Sequence, residues 1–326
     1  MTARAPLDAV GDDALDTLIT IRDWTRVAMS RFQAAGLVYG HGTETALDEA
    51  AFLILHTLRL PIDQLEPFLD ARLLRSERAA VLAIIEARIA TRKPAPYLTN
   101  EAWIQGHSFY VDERVIVPRS YLGELLAEER IDGLVPDADA VTRVLDLCTG
   151  SGCLAILAAL AFPRAQVDAV DISPDAVAVA RRNVADYGLD QRVALHAGDL
   201  FGPLGDRRYH LIVSNPPYVD RQGMADLPPE YAHEPTLALA AGEDGLDIVR
   251  KILPVVARHL TADGVLVLEI GRCRPAFESS FLELQPTWLE TAASRDQVLL
   301  LTAEGLRSLA GGQTSHAPRK RGNKTR

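Results

Sequence analysis

The sequence contains few cysteines and no long apolar run, and each absence excludes a class of protein. Its three cysteines, Cys148, Cys153 and Cys273, lack the close pairing of zinc ligands and form no disulfide framework. The eight histidines show no ligand spacing either. No stretch of 18 or more apolar residues occurs, and the N-terminal residues lack a hydrophobic signal core. We therefore predict a cytoplasmic protein that binds no metal and does not interact with a membrane.

An excess of positive charge is also missing. The formal net charge is −10, which makes the body of the protein a poor match for bare nucleic acid and a better one for a basic protein. The C-terminal tail is the exception, and we expect residues 311–326 to be disordered and solvated, with contact to RNA or to a ribosomal particle as the alternative. Its basic residues are Arg319, Lys320, Arg321, Lys324 and Arg326.

The first 95 residues have helical periodicity. A capping-box start at Thr45 precedes apolar residues at helical spacing, and Ser76 is the predicted N-cap of a later helix. We predict an N-terminal helical substrate-recognition domain over 1–95, which carries no catalytic constellation, and a structural cap is the alternative role. A β-hairpin linker is predicted over 96–117, and Val115–Val117 is one of its short β runs.

Beyond the linker, strands alternate with helices over the predicted domain 118–310. Such alternation builds a mostly parallel α/β sheet with helices on both faces, and ligands bind past the carboxyl ends of its strands. Ser173-Pro174 is a predicted helix start, and another helix is predicted from Gly152 to Ala161. The seven strand candidates are Arg143–Leu147, Gln166–Asp171, Arg192–His196, His210–Ser214, Val265–Ile270, Trp288–Thr291 and Val298–Thr302.

A glycine-rich turn follows the first of these strands. Gly150 and Gly152 carry no Cβ, so a ligand can approach the backbone closely. The spacing also fits a dinucleotide loop, with Asp171 placed 19 residues beyond Gly152 to accept ribose hydroxyls. S-adenosylmethionine carries a ribose too, so Asp171 does not discriminate between the two ligands.

Two further acids bear on the choice of ligand. Asp146, just before the glycine turn, suits the positively charged amino-acid end of S-adenosylmethionine and would repel a pyrophosphate. Asp199, after the third strand, is placed to accept from an adenine amino group, and its alternative is a helix cap or turn. The loop therefore predicts S-adenosylmethionine as the cofactor.

The tetrapeptide Asn215-Pro216-Pro217-Tyr218 follows the apolar run of the fourth strand. Proline fixes its own φ and drives the preceding residue away from helical geometry, so two prolines make a stiff loop. The side-chain oxygen of Asn215 and the carbonyl of Pro216 are then two fixed acceptors for one NH2 group. Tyr218 offers a flat face for stacking. We name this tetrapeptide the clamp and predict that it holds an amide or amine nitrogen for methylation.

Methylation of such a nitrogen needs orientation more than a strong base. Two acceptors aim the nitrogen at the methyl group and stabilise the positive charge that develops on it. Asn215, Pro216 and Tyr218 are therefore the predicted catalytic residues, and Pro217 joins them in substrate binding. The alternative is a plain proline turn after a strand. Glu234-Pro235 is predicted either to fold over the clamp or to lie in an acidic surface loop.

With the glycine-rich turn and the clamp, the segment from Pro118 to Thr302 resembles the HemK-type protein-glutamine methyltransferases. The predicted N-terminal helical domain matches that family as well. Within that family the chain is similar to the PrmB branch, which methylates a glutamine of large-subunit ribosomal protein L-three. The segments that carry this similarity are Tyr39-Gly40-His41-Gly42-Thr43, Asp48-Glu49-Ala50, Asn100-Glu101-Ala102-Trp103 and Val117-Pro118-Arg119-Ser120. The sister branch, which acts on the GGQ glutamine of release factors, usually has an acidic continuation where this chain has Ser120-Tyr121-Leu122-Gly123-Glu124.

The resemblance implies a seven-stranded, Rossmann-like class I methyltransferase domain and assigns its site residues. The clamp residues Asn215, Pro216, Pro217 and Tyr218 hold the glutamine amide, and Asn215 also borders the cofactor. The expected cofactor residues are Asp146, Cys148, Thr149, Gly150, Ser151 and Gly152 at the methionine part, Asp171 at the ribose, and Asp199 and Leu200 at the adenine.

Three alternatives remain open for the function. The chain could act on release factors, or on amino groups of DNA or RNA, because nucleic-acid methyltransferases also use Asn-Pro-Pro-Tyr. It could also be a non-catalytic assembly factor that only binds the cofactor. The acidic balance argues against extensive contact with a nucleic-acid backbone.

Overall fold

The computed structural model describes residues 14–127, 133–135, 137–292 and 294–312 of the chain. These residues divide into two compact units. The described part of Met1–Arg119 together with Ala225–Ala238 is the helical unit, and the described part of Ser120–Met224 and Leu239–Arg326 is the sheet unit. None of the described helices has the length and apolar composition needed to cross a membrane.

Amphipathic helices build the core of the helical unit. They are α1 (Ala14–Thr17), α2 (Ile21–Ala34), α3 (Ala46–Thr57), α4 (Arg75–Thr91) and α5 (Ala95–Thr99). Trp24 and Phe32 of α2 are fully buried among apolar residues of α3 and α4. The predicted capping box at Thr45 is confirmed. The predicted N-cap at Ser76 is wrong, because α4 begins at Arg75 and the Leu74 amide donates to the Glu77 carboxylate at 2.8 Å.

A short hairpin follows α5. Its strands β1 (Glu101–Ile104) and β2 (His107–Tyr110) pair antiparallel. Val115–Val117, predicted as a further β run, is not a strand. Its backbone groups form hydrogen bonds with side chains instead. The Val115 carbonyl accepts from the Tyr97 hydroxyl at 2.5 Å, and the Val117 amide donates to Glu234 at 3.0 Å.

Buried ion pairs tie the segment Ala225–Ala238 into the helical unit. Glu230 accepts from the Val38 amide at 3.0 Å and pairs with Arg92 at 2.7 Å. Glu234 is held by both terminal nitrogens of Arg119, at 2.5 and 2.7 Å. Burial would raise the pKa of Glu234, but the neighbouring His41 and Arg119 outweigh it and lower that pKa to about 2. Glu234 is therefore a buried anchor and not part of an acidic surface loop.

The sheet unit confirms the predicted seven-stranded, mostly parallel sheet. Its strands are β3 (Arg143–Leu147), β4 (Gln166–Asp171), β5 (Val193–Ala197), β6 (Tyr209–Ser214), β7 (Leu260–Glu269), β8 (Thr287–Leu289) and β9 (Val298–Thr302). They lie in the order β5-β4-β3-β6-β7-β9-β8, where β3 to β7 run parallel and β9 is antiparallel to both of its neighbours. This is the Rossmann-like arrangement that the resemblance implies.

Helices accompany the sheet in sequence. They are α6 (Leu122–Leu125), α7 (Cys153–Ala161), α8 (Pro174–Asp186), α9 (Arg221–Asp226), α10 (Asp247–Val256), α11 (Arg274–Ser280) and α12 (Ala303–Gly312). The predicted N-cap at Ser173 is confirmed, because its hydroxyl accepts from the Ala176 amide at 3.2 Å. Helix α12 extends to Gly312, so the first two residues of the predicted disordered tail are helical. The basic residues of that tail lie outside the described residues.

The buried Arg88 gives a test of the ion pairs in the helical unit. Its Nε donates to Glu49 Oε1 at 2.7 Å, and both side chains are almost inaccessible to solvent. Arg88→Ala would leave the Glu49 carboxylate buried without its cation. We expect it to destabilise the helical unit by about 3–5 kcal/mol, measured by thermal unfolding.

Two further variants complete this test. The matched control is Arg22→Ala, whose pair with Asp70 is exposed, and it should change the melting temperature little. The double change Arg88→Met with Glu49→Leu removes both charges and should recover most of the lost stability. An Arg88→Ala protein as stable as Arg22→Ala would contradict this account.

Candidate functional site

The parallel sheet brings the predicted site residues to one edge. Leu147, the last residue of β3, pairs in register with Val170 of β4 and Ser214 of β6. The glycine turn, Asp171 and Asn215 therefore follow neighbouring strands at the same level. Asp199 and Leu200 follow β5, one strand further along. The predicted juxtaposition at the carboxyl ends of the strands is thus observed, whereas the role of each residue stays a prediction.

Two non-glycine residues at this edge have unusual backbone geometry. Cys148 has φ of 61° and Leu200 has φ of 46°, in the left-handed region that side chains other than glycine rarely adopt. Gly150 and Gly152, with φ of 55° and 80°, occupy the same region without strain. Strained residues of this kind cluster at ligand sites, and both of these are expected cofactor residues.

Asp171 braces the glycine turn from the next strand. Its Oδ2 accepts from the Gly150 amide and its Oδ1 from the Ser173 amide, each at 2.9 Å. Burial outweighs these hydrogen bonds and raises the pKa of Asp171. An ionised carboxylate has about four lone-pair sites, so Asp171 can still accept a ligand hydroxyl.

Helix α8 explains part of the glycine pattern. A Cβ on Gly152 would lie 3.0 Å from the Cβ of Ala180, closer than such atoms normally approach. The side-chain nitrogen of Asn183 donates to the Ser151 carbonyl at 2.8 Å. Gly152 is therefore required for packing against α8, a reason that the sequence interpretation, based on ligand approach, did not include.

Asp146 lies beneath the turn and is fully buried. Its Oδ2 accepts from the Thr149 hydroxyl at 2.5 Å, and its Oδ1 has no hydrogen-bond partner. Burial raises the pKa of Asp146 to about 7, although the bond from Thr149 opposes the shift. An uncompensated carboxyl oxygen of this kind favours a cationic or hydrogen-bond-donating ligand nearby.

The clamp follows β6 and contains a second unpaired acceptor. Asn215 Oδ1 is buried and has no hydrogen-bond partner. The Ser214 hydroxyl donates to the Leu147 carbonyl at 2.9 Å and fixes the start of the clamp to the end of β3. Buried side-chain oxygens are nearly always paired in folded proteins. The clamp therefore presents a buried acceptor that a donor from a bound molecule would satisfy.

Tyr218 is fixed by residues that the sequence interpretation missed. Its hydroxyl donates to Glu269 Oε1 at 3.2 Å, and its carbonyl accepts from the Cys273 thiol at 3.2 Å. A Cβ on Gly271 would lie 2.5 Å from Tyr218 Cε2, so one side of the ring packs directly on that glycine. The available signal was Glu269 itself, because a glutamate that ends an apolar parallel strand beside the clamp strand is rarely buried without a purpose.

Asp146 makes the stability of the sheet unit depend on pH. Its pKa is higher in the folded chain than in the unfolded one, so its contribution is complete below the unfolded value and is lost as pH rises through about 7. Asp146→Asn keeps an oxygen for Thr149 but cannot ionise. We expect this variant to lose less stability than the unmodified protein between about pH 5.5 and 8, by about 2 kcal/mol, measured by urea unfolding. The exposed Asp190→Asn is the matched control, and equal losses in all three proteins would contradict the assignment.

Comparison with known proteins gives a consistent family assignment. The family model described as Methyltransferase small domain matches residues 133–232. The protein named Ribosomal protein uL3 glutamine methyltransferase from Bordetella pertussis is 59% identical over 292 residues, which cover 89% of this chain and 97% of the relative. Proteins of the same name from Burkholderia pseudomallei and Neisseria meningitidis serogroup B are 56% and 54% identical, each covering 90% of this chain and 97% of the relative. The chain therefore belongs to the family of ribosomal protein uL3 glutamine methyltransferases.

Proposed function

We propose that this protein transfers a methyl group from S-adenosylmethionine to the side-chain amide nitrogen of a glutamine in ribosomal protein uL3. The observation that carries the proposal is the buried, unpaired Oδ1 of Asn215 at the carboxyl end of β6. An NH2 group of a substrate amide is the donor that this oxygen lacks. The name of the relatives, ribosomal protein uL3 glutamine methyltransferase, indicates a glutamine of uL3 as the substrate.

The cofactor would lie along the carboxyl ends of β3, β4 and β5. Residues Cys148 to Gly152 would border its methionine part, Asp171 would accept from its ribose hydroxyls, and Asp199 with Leu200 would flank its adenine. Three features of this chain fit such a ligand: the strained backbone at Cys148 and Leu200, the free lone pairs of Asp171, and the unpaired Asp146 Oδ1. When bound, S-adenosylmethionine supplies an electrophilic methyl group on a sulfonium, and its sulfur leaves as a neutral thioether while the amide nitrogen loses a proton.

The clamp residues would orient the nitrogen. Asn215 Oδ1 and the Pro216 carbonyl accept the two hydrogens of the amide, so its plane and its direction are fixed. Both oxygens also stabilise the positive charge that develops on nitrogen as its bond to carbon forms. The Tyr218 ring, held by Glu269 and Gly271, limits where the planar amide can lie. No base is needed before the bond forms, because the proton leaves to water afterwards.

Charge supports a ribosomal protein as the partner. The chain carries a net charge of −10, and a basic RNA-binding protein would be attracted to it over a long range. The same charge disfavours a mechanism in which the enzyme follows a nucleic-acid backbone. We place the reaction in the cytoplasm, where ribosomal proteins of bacteria are made and assembled.

Mass spectrometry separates uL3 from the rival substrates. Peptides of uL3 and of release factors from cells with and without this gene should differ by one methyl group on a glutamine of uL3. Loss of methylation only on the release factor would refute the choice of substrate. Loss of methylation only on a nucleic-acid base would refute glutamine methylation altogether.

Asn215→Ala tests the clamp directly. We expect the turnover rate on purified uL3 to fall about 10²–10³-fold, because the variant lacks one of the two acceptors for the amide that receives the methyl group. Cofactor affinity, measured by calorimetry, should weaken only modestly. The matched control is the exposed amide Gln191→Ala, which should leave both quantities unchanged. Unaltered methylation by Asn215→Ala would indicate a non-catalytic assembly factor.

We also propose that the basic tail contacts RNA when uL3 is methylated within a ribosomal particle. Five basic residues within the last eight positions form its charge, from Arg319 to Arg326. Deletion of residues 313–326 should slow methylation of uL3 in assembling particles and leave methylation of free uL3 unchanged. If the deletion leaves the ratio of the methylation rate in particles to the methylation rate of free uL3 unchanged, this contact is refuted.

A further inference from the structure

We propose that Glu269 is a positioning residue for the methyl transfer, acting on the substrate through Tyr218. The inference rests on the proposed function, because it assigns Glu269 to the same clamp. Glu269 is the last residue of β7, and β7 pairs with β6, the strand that leads into the clamp. It therefore stands at the same sheet edge as Asn215.

Burial of this carboxylate needs an explanation. Glu269 is 1% exposed, and no lysine, arginine or histidine of the described residues forms an ion pair with it. A buried carboxylate without a cation destabilises a fold unless hydrogen bonds replace its water. An apolar residue would continue the buried apolar run Val265-Leu266-Val267-Leu268 at lower cost, so packing alone does not account for a glutamate here.

The hydrogen bonds of Glu269 indicate what it does. Oε2 accepts from the Ser120 hydroxyl at 2.6 Å and from the Tyr121 amide at 2.9 Å. These two donors fix the carboxylate in place. Oε1 points to the Tyr218 hydroxyl, which donates to it at 3.2 Å. One oxygen thus accepts from a side-chain hydroxyl and a backbone amide at the start of the sheet unit, while the other accepts from the tyrosine of the clamp.

Three separate contacts leave Tyr218 little freedom. Its hydroxyl is bonded to Glu269, its ring packs on Gly271, and its carbonyl accepts from the Cys273 thiol. Gly245 packs closely on the same carbonyl, because a Cβ at this position would lie 2.4 Å from the Tyr218 carbonyl oxygen. A ring fixed at both ends forms a rigid wall against which a planar amide can stack. Misplacement of a reacting group by about 1 Å can cost about 100-fold in rate, so this rigidity has a direct kinetic value.

A double-mutant cycle tests the proposal on purified enzyme with uL3 as substrate. The variants are Glu269→Gln, Tyr218→Phe and the two together, with the exposed Glu283→Gln as the matched control. We expect each single variant to lower kcat by about 10- to 100-fold, the size of one hydrogen bond to a charged group. The double variant should be no worse than the poorer single variant, because both changes act on the same contact between Tyr218 and residue 269.

Binding measurements give a readout independent of turnover. Affinity for S-adenosylhomocysteine should stay within about twofold in every variant, because the bond does not touch the cofactor loop. Affinity for uL3 in the presence of S-adenosylhomocysteine should fall equally in Glu269→Gln and Tyr218→Phe. Glu283→Gln should match the unmodified enzyme in all assays.

The possible results separate this inference from the proposed function. The positioning role would be overturned if the fall in kcat of the double variant equalled the product of the two single falls. Full activity of either single variant would overturn it as well. In both cases methylation of uL3 by the unmodified enzyme would still stand. If Glu269→Gln fails to fold, Tyr218→Phe tests the same bond from its other end, and full activity there overturns the role. An unmodified enzyme that methylates no glutamine of uL3 would refute the proposed function and the positioning role with it.

Discussion

The proposed binding of the substrate amide depends on one unpaired acceptor, the buried Oδ1 of Asn215. A buried oxygen without a donor costs about 1–3 kcal/mol, and folded proteins seldom retain one. The two following prolines restrict the backbone at and after Asn215 to extended geometry, so the chain there is stiff. Under the proposed function, an NH2 group of the substrate supplies the missing donor and recovers this energy.

The sheet supplies the geometry for that ligand and for its methyl donor. Neighbouring parallel strands lie about 4.8 Å apart, so loops that follow β3, β4 and β6 converge on a small region. Positive φ at Cys148 and Leu200 turns the backbone sharply where strands β3 and β5 end. Hydrogen bonds join the ends of β4 and β6 to the end of β3: Asp171 accepts from the Gly150 amide, and the Ser214 hydroxyl donates to the Leu147 carbonyl. The candidate site residues therefore lie within a few residues of the strand ends.

Local patterns predicted most of the sheet, and long-range contacts account for what they missed. The bounds of β3, β4 and β9 agree with the sequence interpretation, because apolar runs between turn residues define them. Glu269 was placed in a strand, but its partners Ser120 and Tyr218 are distant in sequence, so its role could not be read. The union of Ala225–Ala238 with the helical unit depends on Glu230 and Glu234, whose arginine partners are equally remote.

Asn215 and Pro216 are proposed to accept hydrogen bonds from the substrate amide. An experimental structure of the ternary complex tests these two contacts directly. The complex would contain uL3, or its glutamine segment, with S-adenosylhomocysteine. We expect the glutamine nitrogen within about 3.2 Å of both Asn215 Oδ1 and the Pro216 carbonyl oxygen, on the side of the cofactor sulfur. A glutamine nitrogen bound elsewhere, with Asn215 Oδ1 occupied by water or by another group of the chain, would contradict the account.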